Sequence, residues 1–367
     1  MKELLVIHFR PVNLYPPVIN LVRFMSEQKN VKVILYTTSN RSAPQFSESV
    51  QVVIIPYSTI AIFRMVATLN FYIRVLTRLI STPTVPVLYY ESLSSIPVWL
   101  YLTFFKQTNR KIAAHFHEYF SNIEYKRHSF WERTGRRLES SIFRKLNWIS
   151  QTNMDRVKFF KKEFPEIPSV ILHILPNYPP KSWLSDNFKS INTARPLKLV
   201  YVGSLTLEGT FIKELVDWLV MQGGKLNCTI FSQNAGQEVV SYLTDHSQGL
   251  VTFKGRIEYD QLPFVLPEYD VGLVLYNGAS TNVIYSAPNK IFEYLACGLD
   301  VWFPTIIVSS RPYHQMGTYP KAIMVDFSKL ETFDYLLAVR REGFSYKPSP
   351  FVMEMVYVEL YDKIFQR

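Results

Sequence analysis

Short runs of β-branched and other apolar residues recur along this chain with amphipathic stretches of helical length between them, and this alternation limits the possible folds more than any other feature. Expected strands in the first half are ELLVIHF (3–9), VKVILYTT (31–38), VQVVIIPY (50–57), VPVLYYES (85–92), KIAAHFHEY (111–119), NWISQTN (147–153) and SVILHILPN (169–177). Helical patterns occupy 16–28 and 129–146. Apolar strands that lack a clear in–out alternation are buried on both faces, so helices must cover both sides of a parallel sheet.

The pattern breaks at PNYPPKSWLSDNFKSINTARP (176–196), rich in Pro, Ser and Asn and without periodicity. It then restarts. KLVYVGSL (198–205), CTIFSQN (228–234), LVTFKGRI (250–257), YDVGLVLY (269–276), DVWFPTIIV (300–308) and AIMVDF (322–327) read as strands. Helices are expected near 210–221, 236–245, 260–266 and 351–366. A chain of 367 residues exceeds what one hydrophobic core usually serves. The expectation is an α/β protein of two Rossmann-like, doubly wound domains facing a cleft: 1–178, a linker at 179–196, and 197–349. A helix at 350–367 is expected to return toward the first domain. Ligands of such sheets bind beyond the carboxyl ends of the strands.

Charge divides unevenly. Residues 1–178 hold 23 Lys+Arg against 11 Asp+Glu, a balance of +12, while 179–367 hold 17 against 19. The stretch 106–162 alone carries 14 basic and 5 acidic residues. A basic half suits an anionic surface or substrate. The most apolar long stretch, 59–80, contains Arg64, Arg74 and Arg78, which argues against a membrane span and for an amphipathic helix lying on a surface. Met1-Lys2-Glu3 runs straight into LLVIHF, too short for a secretory core. Two cysteines, Cys228 and Cys297, make no disulfide framework or metal spacing, so a reducing, cytoplasmic setting is expected. GxGxxG, GxxxxGK[ST], paired CxxC and HExxH are all absent from the sequence. No helix-turn-helix or aromatic sheet motif accompanies the positive charge, so nucleic acid is not an expected partner.

Chemistry concentrates in SAPNKIFEYLACG (286–298). Pro288 suits a first helical turn, Ser286 an N-cap and Gly298 a C-terminal stop. Asn289, Lys290 and Glu293 share one face, expected to point away from the core, while Ile291, Phe292 and Leu295 bury. A lysine at a helix N-terminus can hold a phosphate, and a carboxylate one turn on can accept both hydroxyls of a ribose.

That segment resembles the "P-x-K-x-x-E-x-x-x-x-G" nucleotide-binding signature of GT-B glycosyltransferases, especially glycosyltransferase family 4. Other segments resemble the family in the same order: AHFHEYF (114–120) its "D-x-HEYF" segment, LPNYPP (175–180) its interdomain "PN" junction, YVGSL (201–205) the start of its second domain, and 253–276 its "G…L…D-V" segment. The resemblance implies transfer of a sugar from a nucleotide diphosphate donor to an acceptor hydroxyl, with retention suspected. It implies that Glu293 holds the donor ribose, that Lys290, helped by the helix N-terminus, holds the diphosphate, and that Gly203 lets phosphates approach the backbone; Asn289, on the same face, and Ser204 are further donor-binding candidates. His117 and Glu118 are implied near the transferred sugar or the attacking hydroxyl, as catalytic candidates. Arg10 and Asn13, in the loop after the first strand, and His115 are candidates for the acceptor.

Three departures stand out. The family's "G-R-L-x-x-x-K-G" has Ser204 and Gly209 at its charged positions, which leaves the leaving phosphate to Lys290 and Arg256. The residue eight before Glu293 is Tyr285 rather than glutamate, and the Asp of "D-x-HE" is His115. No carboxylate pair suggests a metal site, so neither a cofactor nor a divalent metal is expected. The basic half fits a lipid-linked saccharide acceptor at an anionic membrane, in surface polysaccharide or glycolipid synthesis, with the protein peripheral on the inner face. The alternatives are a non-catalytic subunit that binds a nucleotide sugar or a partner enzyme, and, third, a nucleotide-sugar epimerase.

Overall fold

The computed structural model describes residues 1–58, 60–105, 109–186, 191 and 195–366. Of the expected linker, 187–190 and 192–194 lie outside the described residues, as do Thr59, Lys106 and Arg367. The chain forms two compact units: Met1–Pro176 with Met353–Arg367, and Asn177–Val352.

In the first unit, β1 (Lys2–His8), α1 (Pro16–Arg23), β2 (Val31–Thr38), β3 (Val50–Ile55), α2 (Ala61–Ser81), β4 (Val87–Tyr90), α3 (Glu91–Phe104), β5 (Ile112–Phe116), α4 (Asn122–Tyr125), α5 (Phe130–Ser140), β6 (Trp148–Gln151), α6 (Met154–Glu163) and β7 (Leu172–Ile174) follow in order. The strands make a seven-stranded parallel sheet, ordered β3-β2-β1-β4-β5-β6-β7. The run LLVI is apolar throughout because both faces of β1 are covered. Leu5 and Ile7 pack with Phe71 and Val75 of α2 and Val98 of α3. Leu4 and Val6 pack with Val18 and Leu21 of α1 and with the C-terminal helix described below.

The second unit comprises β8 (Leu197–Val202), α7 (Ile212–Met221), β9 (Leu226–Phe231), α8 (Gln237–His246), β10 (Val251–Gly255), α9 (Leu262–Val265), β11 (Val271–Leu273), α10 (Thr281–Ile284), α11 (Asn289–Ala296), β12 (Asp300–Pro304), β13 (Thr318–Tyr319), β14 (Ala322–Val325), α12 (Tyr335–Val339) and β15 (Ser345–Tyr346). Its main sheet has six parallel strands, β10-β9-β8-β11-β12-β14, and β13 pairs with β15 separately. Leu199 and Tyr201 face α7, while Val200 and Val202 face Ile291, Phe292 and Leu295 of α11. The strand order reverses at β8, between β9 and β11, which is the switch point at which such sheets leave a crevice. The α/β, doubly wound character read from the sequence holds in both units.

The last helix, α13 (Met353–Phe365), belongs to the first unit, where Tyr357, Leu360 and Ile364 join the core beside α1. Several expected bounds shift. The strand expected over 85–92 ends at Tyr90, because Glu91 has φ +60 and turns the chain into α3. The helix expected over 129–146 stops at Ser140 and gives way to a short 3-10 turn at Phe143–Lys145. Among the described residues no helix is long and apolar enough to cross a membrane.

Candidate functional site

In the second unit the site builds outward from α11. Its N-cap is Pro288 and not Ser286: the Ser286 hydroxyl donates to the Val283 carbonyl at 2.7 Å, and the first helical residue is Asn289. The helix ends as a Schellman turn, with Gly298 N–H donating to Leu295 O (3.2 Å) and Leu299 N–H to Tyr294 O (3.0 Å). Gly298 has φ +78, which explains the glycine.

The polar face does not point to solvent as expected. Glu293 is 1% exposed, and its carboxylate sits 2.5 Å from Lys290 Nζ. Asn289 and Lys290 are half-buried. The helix is seated by Tyr294, whose hydroxyl accepts the Val202 N–H at 2.9 Å at the end of β8. The Tyr294 ring lies over Gly272 of β11 so closely that a Cβ there would run into it. Tyr294 and Gly272 were not singled out in the sequence; a glycine inside an apolar strand was the available signal.

Gly203 and Ser204 follow β8 at this same carboxyl edge. Gly203 N–H donates to Phe231 O (3.0 Å), and Tyr201 Oη donates to the Ser204 carbonyl (2.5 Å). Thr206 and Thr210 brace the rest of the loop: Gly209 N–H donates to Thr206 Oγ1 at 3.0 Å, and Thr210 Oγ1 to Thr206 O at 2.6 Å. Ser204 is exposed and Gly203 half-buried. Arg256 stands apart from this group. It follows β10, two strands from β8, and pairs with Glu258 through Nε (2.8 Å) and Nη2 (3.0 Å).

In the first unit, the carboxyl ends of β1, β4 and β5 bring together His8, Tyr90, Glu91, His115, His117 and Glu118. His8 is buried, and its Nδ1–H donates to the Arg10 carbonyl at 2.7 Å, since that oxygen can only accept. Burial, with the charge of His117, pushes the His8 pKa down to about 3, so His8 is neutral. Burial likewise holds His115 well below its ordinary value, and its Nδ1 lies 2.9 Å from Ser150 Oγ. At 2% exposure His115 is out of reach of an acceptor and supports its neighbours instead. The His117 ring stacks on Tyr90 (centroids 5.0 Å apart, 16° between planes) and meets His115 edge-on at 4.8 Å.

Glu118 is exposed, and with Arg10, Tyr15, Glu91, Tyr125, His128 and Glu132 it lines an open pocket. Arg10 donates to Glu132 at 2.7 Å, and Glu132 also closes the capping box that starts α5. Asn13 lies on the short turn Val12–Leu14, with Oδ1 buried and unpaired, and does not line the pocket. The residue that sequence reasoning missed is Glu91. Burial first, then the charge of Glu118, push its carboxyl up to about 8, against the pull of the His117 N–H and of Arg10. For all the positive charge of this half of the chain, three of the groups lining its pocket are carboxyl groups: Glu91, Glu118 and Glu132. Among the described residues no group of three His, Cys, Asp or Glu is placed to hold a metal.

No family model matches the sequence, and no curated protein does. Solved structures do match along the whole chain. A sucrose-phosphate synthase from Thermosynechococcus elongatus is 14% identical with a TM-score of 0.69, over 100% of this chain and 99% of that one. A lipopolysaccharide outer core galactosyltransferase, WaaB, in its apo form, is 13% identical with a TM-score of 0.64, over 99% of each chain. Anabaena HepE in complex with UDP and glucose is 8% identical with a TM-score of 0.65, again over 99% of each. At such identities the likeness speaks for the fold alone, and that fold is GT-B.

Proposed function

We propose that this protein is a glycosyltransferase that moves a sugar from a nucleoside diphosphate donor to an acceptor hydroxyl. The observation that carries the reading is the burial of Glu293 beside Lys290 at the start of α11, next to the switch point of the second sheet. A surface pair kept for solubility would be exposed. A buried carboxylate is costly unless it is paired and hydrogen-bonded, and this one lies where such sheets receive ligands. Glu293 accepts the ribose hydroxyls, while Lys290, Asn289 and the N-terminal end of α11 take the diphosphate. Gly203 and Ser204 receive its other side. Arg256 contributes only by leaving Glu258. In HepE the same fold accommodates UDP and glucose, which supports a uridine donor as the first to try.

The acceptor belongs to the first unit, with Arg10 and Glu118, which line its pocket, as its contacts and buried His117 behind them. Charge develops on the departing phosphate, and Lys290 stabilises it there. The stereochemistry in keeping with the family 4 resemblance is retention, read from the anomeric signal of the product. A lipid-linked saccharide acceptor fits the face of α2. Ile62, Phe63, Val66 and Ile73 are exposed there, among Arg64 and Arg74 and with no acidic residue in the helix.

A thermal-shift and calorimetric screen against uridine, guanosine, cytidine and thymidine diphosphates tests the donor half, since a ligand that binds only the folded state raises its stability. One nucleotide should stabilise the protein, and Glu293→Ala should abolish the shift. If no nucleotide binds, the reading fails. A nucleotide sugar that binds without transfer to any lipid extract would favour a non-catalytic, sugar-nucleotide-binding subunit.

A further inference from the structure

We propose that Glu91 is a positioning residue that clamps the His117–Glu118 turn at the mouth of the first unit's pocket. Residue 117 is held from two sides. Its N–H donates to Glu91 Oε1 at 2.7 Å, and its carbonyl accepts from Arg156 Nη1 at 2.5 Å. The Glu118 N–H reaches the same Glu91 oxygen at 3.4 Å. Glu91 stands at the start of α3 and Arg156 on α6, so side chains from two helices grip one residue of a third element. Arg156 is itself fixed by Thr152 Oγ1 at 2.8 Å.

The backbone of Glu91 points the same way. Its φ of +60 is a left-handed conformation that a glutamate rarely adopts. Among the described residues the other non-glycines in that region, Asn30 and Gln248, are exposed. Glu91 is not, and it faces the pocket. A glycine would take up this conformation freely, but would supply no acceptor for the two amides. An acidic residue in a first helical turn ordinarily serves its own helix; this one serves another element instead. The neighbouring residue reinforces the arrangement. Ser92 Oγ donates to buried Glu139 at 2.7 Å, and Gly135 of α5 has no Cβ because the Ser92 carbonyl occupies that space.

Several charged and titratable groups face Glu91. Arg10 and Tyr15 come from the segment after β1, Glu118 follows β5, Tyr125 is on α4, Glu139 on α5 and Arg156 on α6. The carboxyl accepts from the two amides whether or not it is ionised, and more strongly when ionised. The His117–Glu118 turn should therefore tighten as pH rises through the weakly alkaline range, where burial has moved this group.

The catalytic part of this inference rests on the transferase reading; the structural part does not. The test uses the full chain and three variants. Glu91→Gln keeps an acceptor that cannot ionise, Glu91→Ala removes the acceptor but keeps the backbone cost, and Glu91→Gly removes both. Amide hydrogen exchange at residues 117 and 118 is the first readout, with near-ultraviolet circular dichroism to confirm folding. Glu91→Ala and Glu91→Gly should exchange at least tenfold faster there, while Glu91→Gln stays near wild type and the pH dependence of its protection, taken relative to the intrinsic exchange rate, is lost. In transfer assays kcat should fall tenfold or more in Glu91→Ala and Glu91→Gly, with the donor KM unchanged, and Glu91→Gln should restore most of it at neutral pH. Unchanged exchange in Glu91→Ala overturns the clamp. A wild-type protein that transfers nothing overturns the transferase reading alone, because the exchange result stands without it.

Discussion

Lys290 Nζ lies 2.5 Å from a Glu293 carboxylate that is 1% exposed, while the lysine itself keeps 19% of its side chain in solvent. The two positions are therefore not equivalent. Removing the lysine leaves a charge buried without its partner, and breaking such pairs costs about 3–5 kcal/mol. Replacing Glu293 with glutamine removes the charge that needed pairing. Lys290→Ala should thus lower unfolding free energy in urea more than Glu293→Gln does. Both should weaken nucleotide binding at least tenfold, or about 1.4 kcal/mol each. Equal stability for the two variants, with unchanged nucleotide affinity, would return the pair to a packing role.

Tyr294 joins α11 to the sheet by two means, and each can be removed separately. Tyr294→Phe leaves the Val202 N–H without its partner, a loss of about 1–3 kcal/mol. Gly272→Ala pushes a methyl group into the ring, with a cost of about 1–3 kcal/mol for overpacking. Because both act through one side chain, Gly272→Ala in a Tyr294→Ala background should cost little. Urea unfolding of the four proteins checks this; additive losses would mean that the glycine serves some other contact.

How much of this was written in the sequence depends on the kind of signal. LLVI and LVYV announce strands buried on both faces, because each face is covered by a different helix, and the doubly wound class follows. Pro288, Lys290, Glu293 and Gly298 were legible because helix spacing is fixed. The burial of Glu293 was not, since periodicity gives the side of a helix and not what lies against it. Glu91 was hidden at the end of an apolar run that reads as strand through Ser92, and only its φ reveals the turn. The excess of basic residues was a global count, and it gave no warning that Glu91, Glu118 and Glu132 converge in one pocket.

Two carboxyls, half-buried Glu91 and buried Glu139, and the buried histidine His8 set opposite trends with pH. Glu91 and Glu139 are pushed up to about 8 and about 7, chiefly by burial, so the folded state holds their protons longer than the unfolded chain does. Their contribution is full below the ordinary carboxyl range and is lost as pH rises through 7 to 8. His8, pushed down to about 3, works the other way: the unfolded chain takes up its proton first, and stability falls as pH drops below about 6.5. The unfolding midpoint should therefore decline between pH 6.5 and 8, and the decline should be shallower in Glu91→Gln. A steeper decline in that variant would contradict the assignment.

The exposed face of α2 gives the last prediction. Ile62, Phe63 and Ile73 are each about 60% exposed, while Phe71, Val75 and Leu79 of the same helix are buried. The helix has Arg64, Arg74 and Arg78 and no carboxylate, and of these Arg78 is engaged by Glu3 at 2.5 Å. Apolar side chains with two remaining arginines suit the interface of an anionic bilayer, where each basic residue adds about 1 kcal/mol of attraction. Vesicles with anionic phospholipid should bind the protein, and those of neutral lipid much less. The Ile62→Glu/Phe63→Glu double variant should lower vesicle binding at least tenfold. Its unfolding free energy should stay within about 0.5 kcal/mol of wild type, because exposed positions contribute little to folding. Nucleotide binding should not change, since both residues belong to the first unit and the proposed nucleotide site to the second. Equal binding to neutral and anionic vesicles, or a double variant that binds as well as wild type, would remove α2 as the membrane face.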